Sequence, residues 1–320
     1  MQRKAAFKQV LIFFIFEIAF TALTMPVIVF YGPFSNIRNT IVTTAMTTFK
    51  HQYLASMFLP KSITEKIMKQ MQQISFGNSD ENKINFNNNH DRTIELFDIS
   101  GKRFEGKIML IHDPTRVQVG LSSKFPKEGE TTSQIAKNNN AIAAINAGGF
   151  GDSGMKGIGG APQGFVIHEG KILYTEIGDP NDMVDLIGFT TNGKMLVGKY
   201  KYKNLSTLSI KEAVSFGPAL IIDGEPMIKK GDGGWGIAPR TAIGQREDGT
   251  VIFLTIDGRS IKSIGATLKD VQDIMLDYGA FNAANLDGGS STTMFYKDRV
   301  INNPSDALGE RSVPTTFIVK

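Results

Sequence analysis

Apolar residues dominate positions 10–31, a run broken by Glu17 and by Pro26. About twenty such residues suffice to cross a bilayer, so this run predicts a transmembrane helix. The spacing then becomes helical: Ile41, Ala45 and Phe49, followed by Leu54, Met57 and Phe58. Pro60 breaks that pattern, and Ser62-Ile63-Thr64-Glu65 reads as a fresh helix start with a capping residue three before the glutamate. Ile63, Ile67, Met71 and Ile74 continue it as an apolar stripe, which predicts a helical stalk with one packed face. Residues 77–91 carry Asn78, Asn82, Asn85, Asn87, Asn88 and Asn89 with few large apolar side chains, and are expected to be a flexible linker.

From residue 92 the texture changes to short strand-like runs separated by turn residues, at 107–112, 116–121, 164–168, 171–174, 195–198, 219–223 and 251–257. Glu169-Gly170 and Asp223-Gly224 are placed as hairpin turns. Helices are fewer. One opens at Thr132, and the clearest covers 267–278, with Leu268, Val271, Met275 and Leu276 on one face and Gly279 as its C-cap. Strands that outnumber helices without alternating with them predict an α+β fold with a mixed or antiparallel sheet and few helices. The expected organisation is a cytoplasmic tip and transmembrane anchor (1–33), a helical stalk (34–76), the linker (77–91) and one domain (92–320).

Composition changes this picture at three points. The net charge is only +4 at a pI of about 9.0, and no arginine-rich, aromatic-interleaved patch occurs, so nucleic acid is not an expected partner. There are no cysteines, which excludes disulfides and thiolate metal sites. Arg3, Lys4 and Lys8 precede the apolar run, which orients the anchor with its amino terminus in the cytoplasm and the domain outside. A cleaved signal peptide is the competing reading, but Thr21-Ala22-Leu23-Thr24-Met25 matches a small-x-small cleavage site poorly and the run continues past it. An uncleaved anchor is favoured. Glu17 is costly in lipid unless protonated or paired.

Several strand-like runs end in glycine and polar residues: Asn146-Ala147-Gly148-Gly149-Phe150, Phe216-Gly217-Pro218, Thr255-Ile256-Asp257-Gly258-Arg259 and Asn285-Leu286-Asp287-Gly288-Gly289. Pro239-Arg240-Thr241-Ala242-Ile243-Gly244 opens another. One such end is a turn; five suggest that strand ends converge on one pocket. Asp257 and Asp287 could supply acid, base or nucleophile across a glycosidic bond, and each could equally be an Asx-turn. Arg240 and Arg259 are planar cations suited to phosphate or carboxylate, or to structural ion pairs. His168 and His112 read as hairpin residues rather than catalysts. No HExxH, histidine cluster or EF-hand loop is present, so neither a transition metal nor a cofactor is expected. Asp152 and Asp232 are weak candidates for a hard cation. No serine-hydrolase elbow or Walker loop occurs. Gly157-Ile158-Gly159-Gly160 lacks the strand-to-helix setting of a dinucleotide fingerprint and reads as a mobile loop over a site.

Taken in order, the blocks Asn146–Phe150, Phe216–Pro218, Pro239–Gly244, Asp257-Gly258-Arg259, Gly265-Ala266-Thr267-Leu268, Asn285–Thr292 and Arg311-Ser312-Val313-Pro314 resemble the phosphodiester glycosidase family over residues 141–319. That resemblance implies an α+β domain that hydrolyses a sugar-1-phosphodiester to free sugar and a phosphomonoester. On this reading Arg240, with Arg259 second, neutralises the phosphate, and Asp257 and Asp287 form the acid/base or nucleophile pair. Asn146, Thr241 and the backbone around Gly148, Gly149, Gly288 and Gly289 orient sugar or phosphate, and Ser290, Ser291 and Thr292 hydrogen-bond the ligand. The expected substrate is a phosphosugar in a cell-surface glycopolymer. The alternatives are a non-catalytic binding or assembly module for envelope polysaccharide, and a partner in a membrane complex acting through Glu17 and the stalk.

Overall fold

The apolar run forms a single 30-residue helix, α1 (Gln2–Tyr31). Its segment Phe7–Tyr31 is 25 residues long with a mean hydropathy of 2.2, long and apolar enough to cross a membrane. This computed structural model describes residues 2–47, 52–151 and 158–320. Phe49, Asp152 and Gly157, singled out above, lie outside the described residues. The described chain forms two compact units, one of Met1–Gln72 with Gly234–Gly236, the other of Gln73–Gly233 with Ile237–Lys320.

In the first unit α1 ends where Gly32 and Pro33 turn the chain, and α2 (Ser35–Met46), α3 (Tyr53–Ser56) and α4 (Lys61–Met71) follow. Pro60 takes the N-cap position of α4, so that helix starts two residues earlier than the Ser62 cap predicts. Phe30, Val42, Ala45, Ala55, Leu59 and Ile67 make a small core, and Phe30 stacks on Phe58 with centroids 5.0 Å apart. The Tyr31 hydroxyl donates to the Phe58 carbonyl. The stalk is therefore a small helical bundle that incorporates the last turn of α1.

The second unit is α+β, as expected. A seven-stranded sheet runs in the order 94–100, 105–111, 251–256, 240–246, 280–286, 219–222, 225–226. One five-stranded sheet contains the 143–146, 294–296 and 315–319 strands, and a second contains 165–168, 183–190 and 210–214. Among the described residues, every pairing between these strands is antiparallel. Val251–Ile256, Ala143–Asn146 and Thr315–Val319 are buried at every position. Their near-continuous apolar sequences reflect cover on both faces. Phe189, Phe253, Phe317, Ile145 and Leu286 share the central core between the sheets. Helix α5 (Thr132–Asn138) begins in a Thr131–Gln134 capping box. Helix α6 (Leu268–Asp277) begins in a Thr267–Asp270 box and buries Leu268, Val271 and Met275.

The asparagine-rich segment is not a loose linker. Ile84 is fully buried, Asn78 bridges to Gly198, and the Ser79 N–H donates to the Val197 carbonyl at 2.9 Å. The asparagines fill side-chain bonding roles along a strap, as where Asn88 donates to Asp113 at 2.8 Å. Composition could not reveal the Val197 and Gly198 partners, because they come from the 195–201 strand more than a hundred residues away.

His168 is structural. Its ring bonds Glu212 at 2.8 Å, and Glu212, itself fully buried, also accepts the Val119 N–H at 2.9 Å. The bond to Glu212 raises the His168 pKa above its usual 6.5, against the opposing effect of burial. A raised folded-state pKa stabilises the fold fully below about 6.5, and the gain is lost as pH climbs through the folded value. His168→Gln should therefore cost about 1–3 kcal/mol at pH 6. In urea melts the gap to wild type should narrow steadily toward pH 9.

Candidate active site

Asp257 and Asp287 end the 251–256 and 280–286 strands, which flank the 240–246 strand in the large sheet. Register pairs Ile256 with Arg240 and Leu286 with Thr241, so the two aspartates emerge from the same end of the sheet. Two strand spacings put their backbones about 10 Å apart. Pro239, at the start of the middle strand, lies between them. A Cβ on Gly258 would come within 2.8 Å of the Pro239 nitrogen, and one on Gly288 within 2.8 Å of its carbonyl oxygen. The glycine after each aspartate therefore lets three strand ends close together.

Among the described residues, Asp287 is the most perturbed carboxyl. The protein around it desolvates the group and pushes its pKa up to about 6, against the Ser291 hydroxyl, the Arg311 charge and the Gly288 N–H, which favour ionisation. Its backbone is fixed from below. The Asp287 N–H donates to the Ala147 carbonyl at 3.0 Å, and the Asn146 amide donates to the Asp287 carbonyl at 2.5 Å. Asn146 is wholly buried and accepts from Thr241 Oγ1 at 2.8 Å and from the Thr293 N–H at 3.1 Å. The structure thus makes Asn146 and Thr241 a strut under Asp287. Asn146→Ala removes three hydrogen bonds at once. It should lower stability by about 2–4 kcal/mol, and in the folded fraction it should depress kcat more than it raises KM.

Two arginines converge on the turn after Asp287. Gly289 has φ +62, and its open side faces Arg259: a Cβ there would stand 3.2 Å from an Arg259 guanidinium nitrogen. Arg311 donates to Ser290 Oγ at 3.0 Å and lies 5.2 Å from the Phe150 ring centroid, a cation–π contact. Burial lowers the Arg259 pKa, with Asp306 opposing and the nearby Arg311 cation adding to the shift. Two cations held close enough to feel each other are suited to an anion.

Asp257 also has a raised pKa, from burial, opposed by bonds to its carboxyl. Its Oδ1 accepts from the Asn302 amide at 3.1 Å and the Asn303 N–H at 3.0 Å. The same Asn302 amide donates to the Thr292 carbonyl at 3.1 Å, so one side chain ties Asp257 to the turn that follows Asp287.

Other expected residues fall elsewhere. Arg240 is 4% exposed; its Nε donates to the Ala266 carbonyl at 3.0 Å. Burial lowers its pKa to about 10, against the charges of Asp232 and Asp270. Strand alternation puts Arg240 on the face opposite Thr241, where it bonds the Ala266 carbonyl and feels the charge of Asp270 on α6. Asp232 is buried within this charged cluster. The Gly148 N–H is taken by Thr315 Oγ1 at 3.2 Å, and Gly149 packs against Gln163 and Phe216. Thr292 is buried, with no partner for its hydroxyl. Sequence reading missed Arg311, Phe150 and Asn302 as site residues. Arg311 and Phe150 stood inside the recognised blocks, but nothing local distinguished them from packing residues.

The model of the phosphodiester glycosidase family matches residues 139–320, the stretch that contains all of these groups except the 92–138 strands beneath them. The chain belongs to the phosphodiester glycosidase family. It is 32% identical over 222 residues to the SPbeta prophage-derived uncharacterized protein YomE of Bacillus subtilis (strain 168), covering 65% of this chain and 31% of that protein. It is 34% identical over 70 residues to N-acetylglucosamine-1-phosphodiester alpha-N-acetylglucosaminidase of Bos taurus, covering 22% of this chain and 13% of that one. The chain thus spans under a third of either curated relative. The zebrafish catalytic domain of the latter enzyme, auto-inhibited by its pro-peptide, superposes with a TM-score of 0.59 at 24% identity, over 71% of this chain and 82% of that one. An exported protein of Burkholderia pseudomallei gives 0.52 at 17% identity, over 68% and 74%. These two likenesses show a shared fold.

Proposed function

We propose that the second unit hydrolyses sugar-1-phosphodiesters, with water attacking the anomeric carbon and a phosphomonoester leaving. The observation that carries this reading is the meeting of Arg259 and Arg311 on the same glycine–serine turn as a carboxyl with its pKa near 6. The arginines neutralise the phosphate, and Ser290 holds Arg311 in place. Arg259, the second of the two arginines expected on the phosphate, is joined there by Arg311 in this reading.

The phosphate anion is a fair leaving group, so the demanding proton transfer is removal of a proton from the attacking water. Asp287, ionised above pH 6, is the base; Asp257, held in orientation by Asn302 and Asn303, faces the positive charge that develops on the sugar. With Asp287 as base, kcat/KM should fall as pH drops through about 6. A fall as pH rises through that value would assign Asp287 as the acid instead.

The helix α1 supports membrane attachment, and its last turn is part of a folded core, which favours an uncleaved anchor. An anchored domain facing outward suits a phosphodiester-linked cell-surface glycopolymer. The test is to incubate the protein with a panel of sugar-1-phosphodiesters and follow free sugar. Release from at least one supports the reading; binding without turnover across the panel would make the domain a polysaccharide-binding module.

A further inference from the structure

We propose that α2, α3 and α4 form a platform embedded in the lipid headgroup layer, rather than a stalk that lifts the chain away from the bilayer. This rests on the reading of α1 as a membrane anchor.

The argument begins with length. Phe7–Tyr31 has 25 residues, about 38 Å of helix, against a hydrocarbon core of about 30 Å. With its apolar start at the inner face, the final turn of α1 stands in the outer interfacial layer. That turn is where the other helices pack: Phe30 is enclosed by the bundle core, Phe58 stacks on it, and the Tyr31 hydroxyl bonds the Phe58 carbonyl. The end of α3 is therefore at headgroup depth by construction.

The surface at this level is wrong for water. Tyr31, Phe34, Ile37, Tyr53, Leu54 and Met57 are all exposed, from 42% for Leu54 to 68% for Met57. Six large apolar or aromatic side chains are thus exposed within 27 positions on a bundle of only four helices. Two are tyrosines, whose amphipathic rings favour the membrane interface. Helix α4 adds Lys61, Lys66 and Lys69, all exposed, whose stems can lie along apolar surface while their ammonium groups reach anionic headgroups. Continuity with α1 fixes the occupant as the bilayer surface.

The absence of cysteine makes the test direct, because single cysteines can be spin-labelled in the full chain. Variants L54C, M57C, K66C and F14C would be labelled in nanodiscs containing anionic lipid, and collision rates with oxygen and with a water-soluble nickel chelate compared. Leu54 and Met57 are exposed, so these substitutions leave the bundle core intact. The platform predicts oxygen-to-nickel ratios at 54 and 57 several-fold above that of the same label on the protein in detergent-free urea, with depths at the headgroup level and 14 deeper still. Fully aqueous labels at 54 and 57, with 14 buried in lipid, would overturn the platform and leave the anchor standing. An aqueous label at 14 would remove the anchor and the platform together.

Discussion

Asp287→Asn should reduce turnover of a sugar-1-phosphodiester by about 10³-fold or more while the domain stays folded. The substitution keeps the shape of the side chain and removes the only property the reaction uses, a carboxylate that takes a proton from water. The backbone bonds that hold the residue in place, to Ala147 and from Asn146, do not involve the side chain and survive. Stability should be retained or should rise. A carboxyl raised to about 6 by burial is less comfortable charged in the folded state than in the unfolded one, so above pH 6 its charge works against folding. An asparagine variant that loses activity and gains Tm at pH 8 has the signature of a functional carboxyl. One that loses both would place Asp287 in the scaffold.

Arg311 and Arg240 should respond in opposite ways. Arg311→Ala removes a cation from the Ser290 turn and should lower kcat/KM for a phosphodiester by about 10²–10³-fold, with modest effect on melting. Arg240→Met removes a cation that is buried at 4% exposure amid Asp232 and Asp270. It should cost about 3–5 kcal/mol in stability, because it strands buried negative charge. Surviving folded protein should keep a near-normal KM. Urea denaturation alongside steady-state kinetics on the two variants separates these outcomes; an activity loss confined to Arg240→Met would restore the sequence-based assignment.

The contrast between these arginines shows what was legible. The apolar run, the one-faced apolar stripe of α6 with Gly279 at its end, and the strand-like runs are local patterns, and they placed the helices and the fold class directly. The glycine-tipped motifs at Asp257 and Asp287 do lie at one end of the large sheet. What sequence could not resolve is which face of a strand a side chain occupies once the strand is buried on both sides. Arg240 and Thr241 are adjacent and both polar, yet strand alternation sends one to the α6 face and the other to the strut under Asp287. Without polar–apolar alternation there was no signal to separate them. Arg311, Asn302 and the packed asparagine strap were hidden for a different reason: their partners are brought together only by the tertiary fold.

Which bond breaks is the most direct question. The reaction should be run in water enriched in ¹⁸O and the phosphomonoester product examined by ³¹P NMR or mass spectrometry. Attack at the anomeric carbon leaves all the original oxygens on phosphorus, so the product phosphate should carry no label. Incorporation of ¹⁸O into the phosphate would mean attack at phosphorus, and would contradict a glycosidase built on Asp287, Arg259 and Arg311.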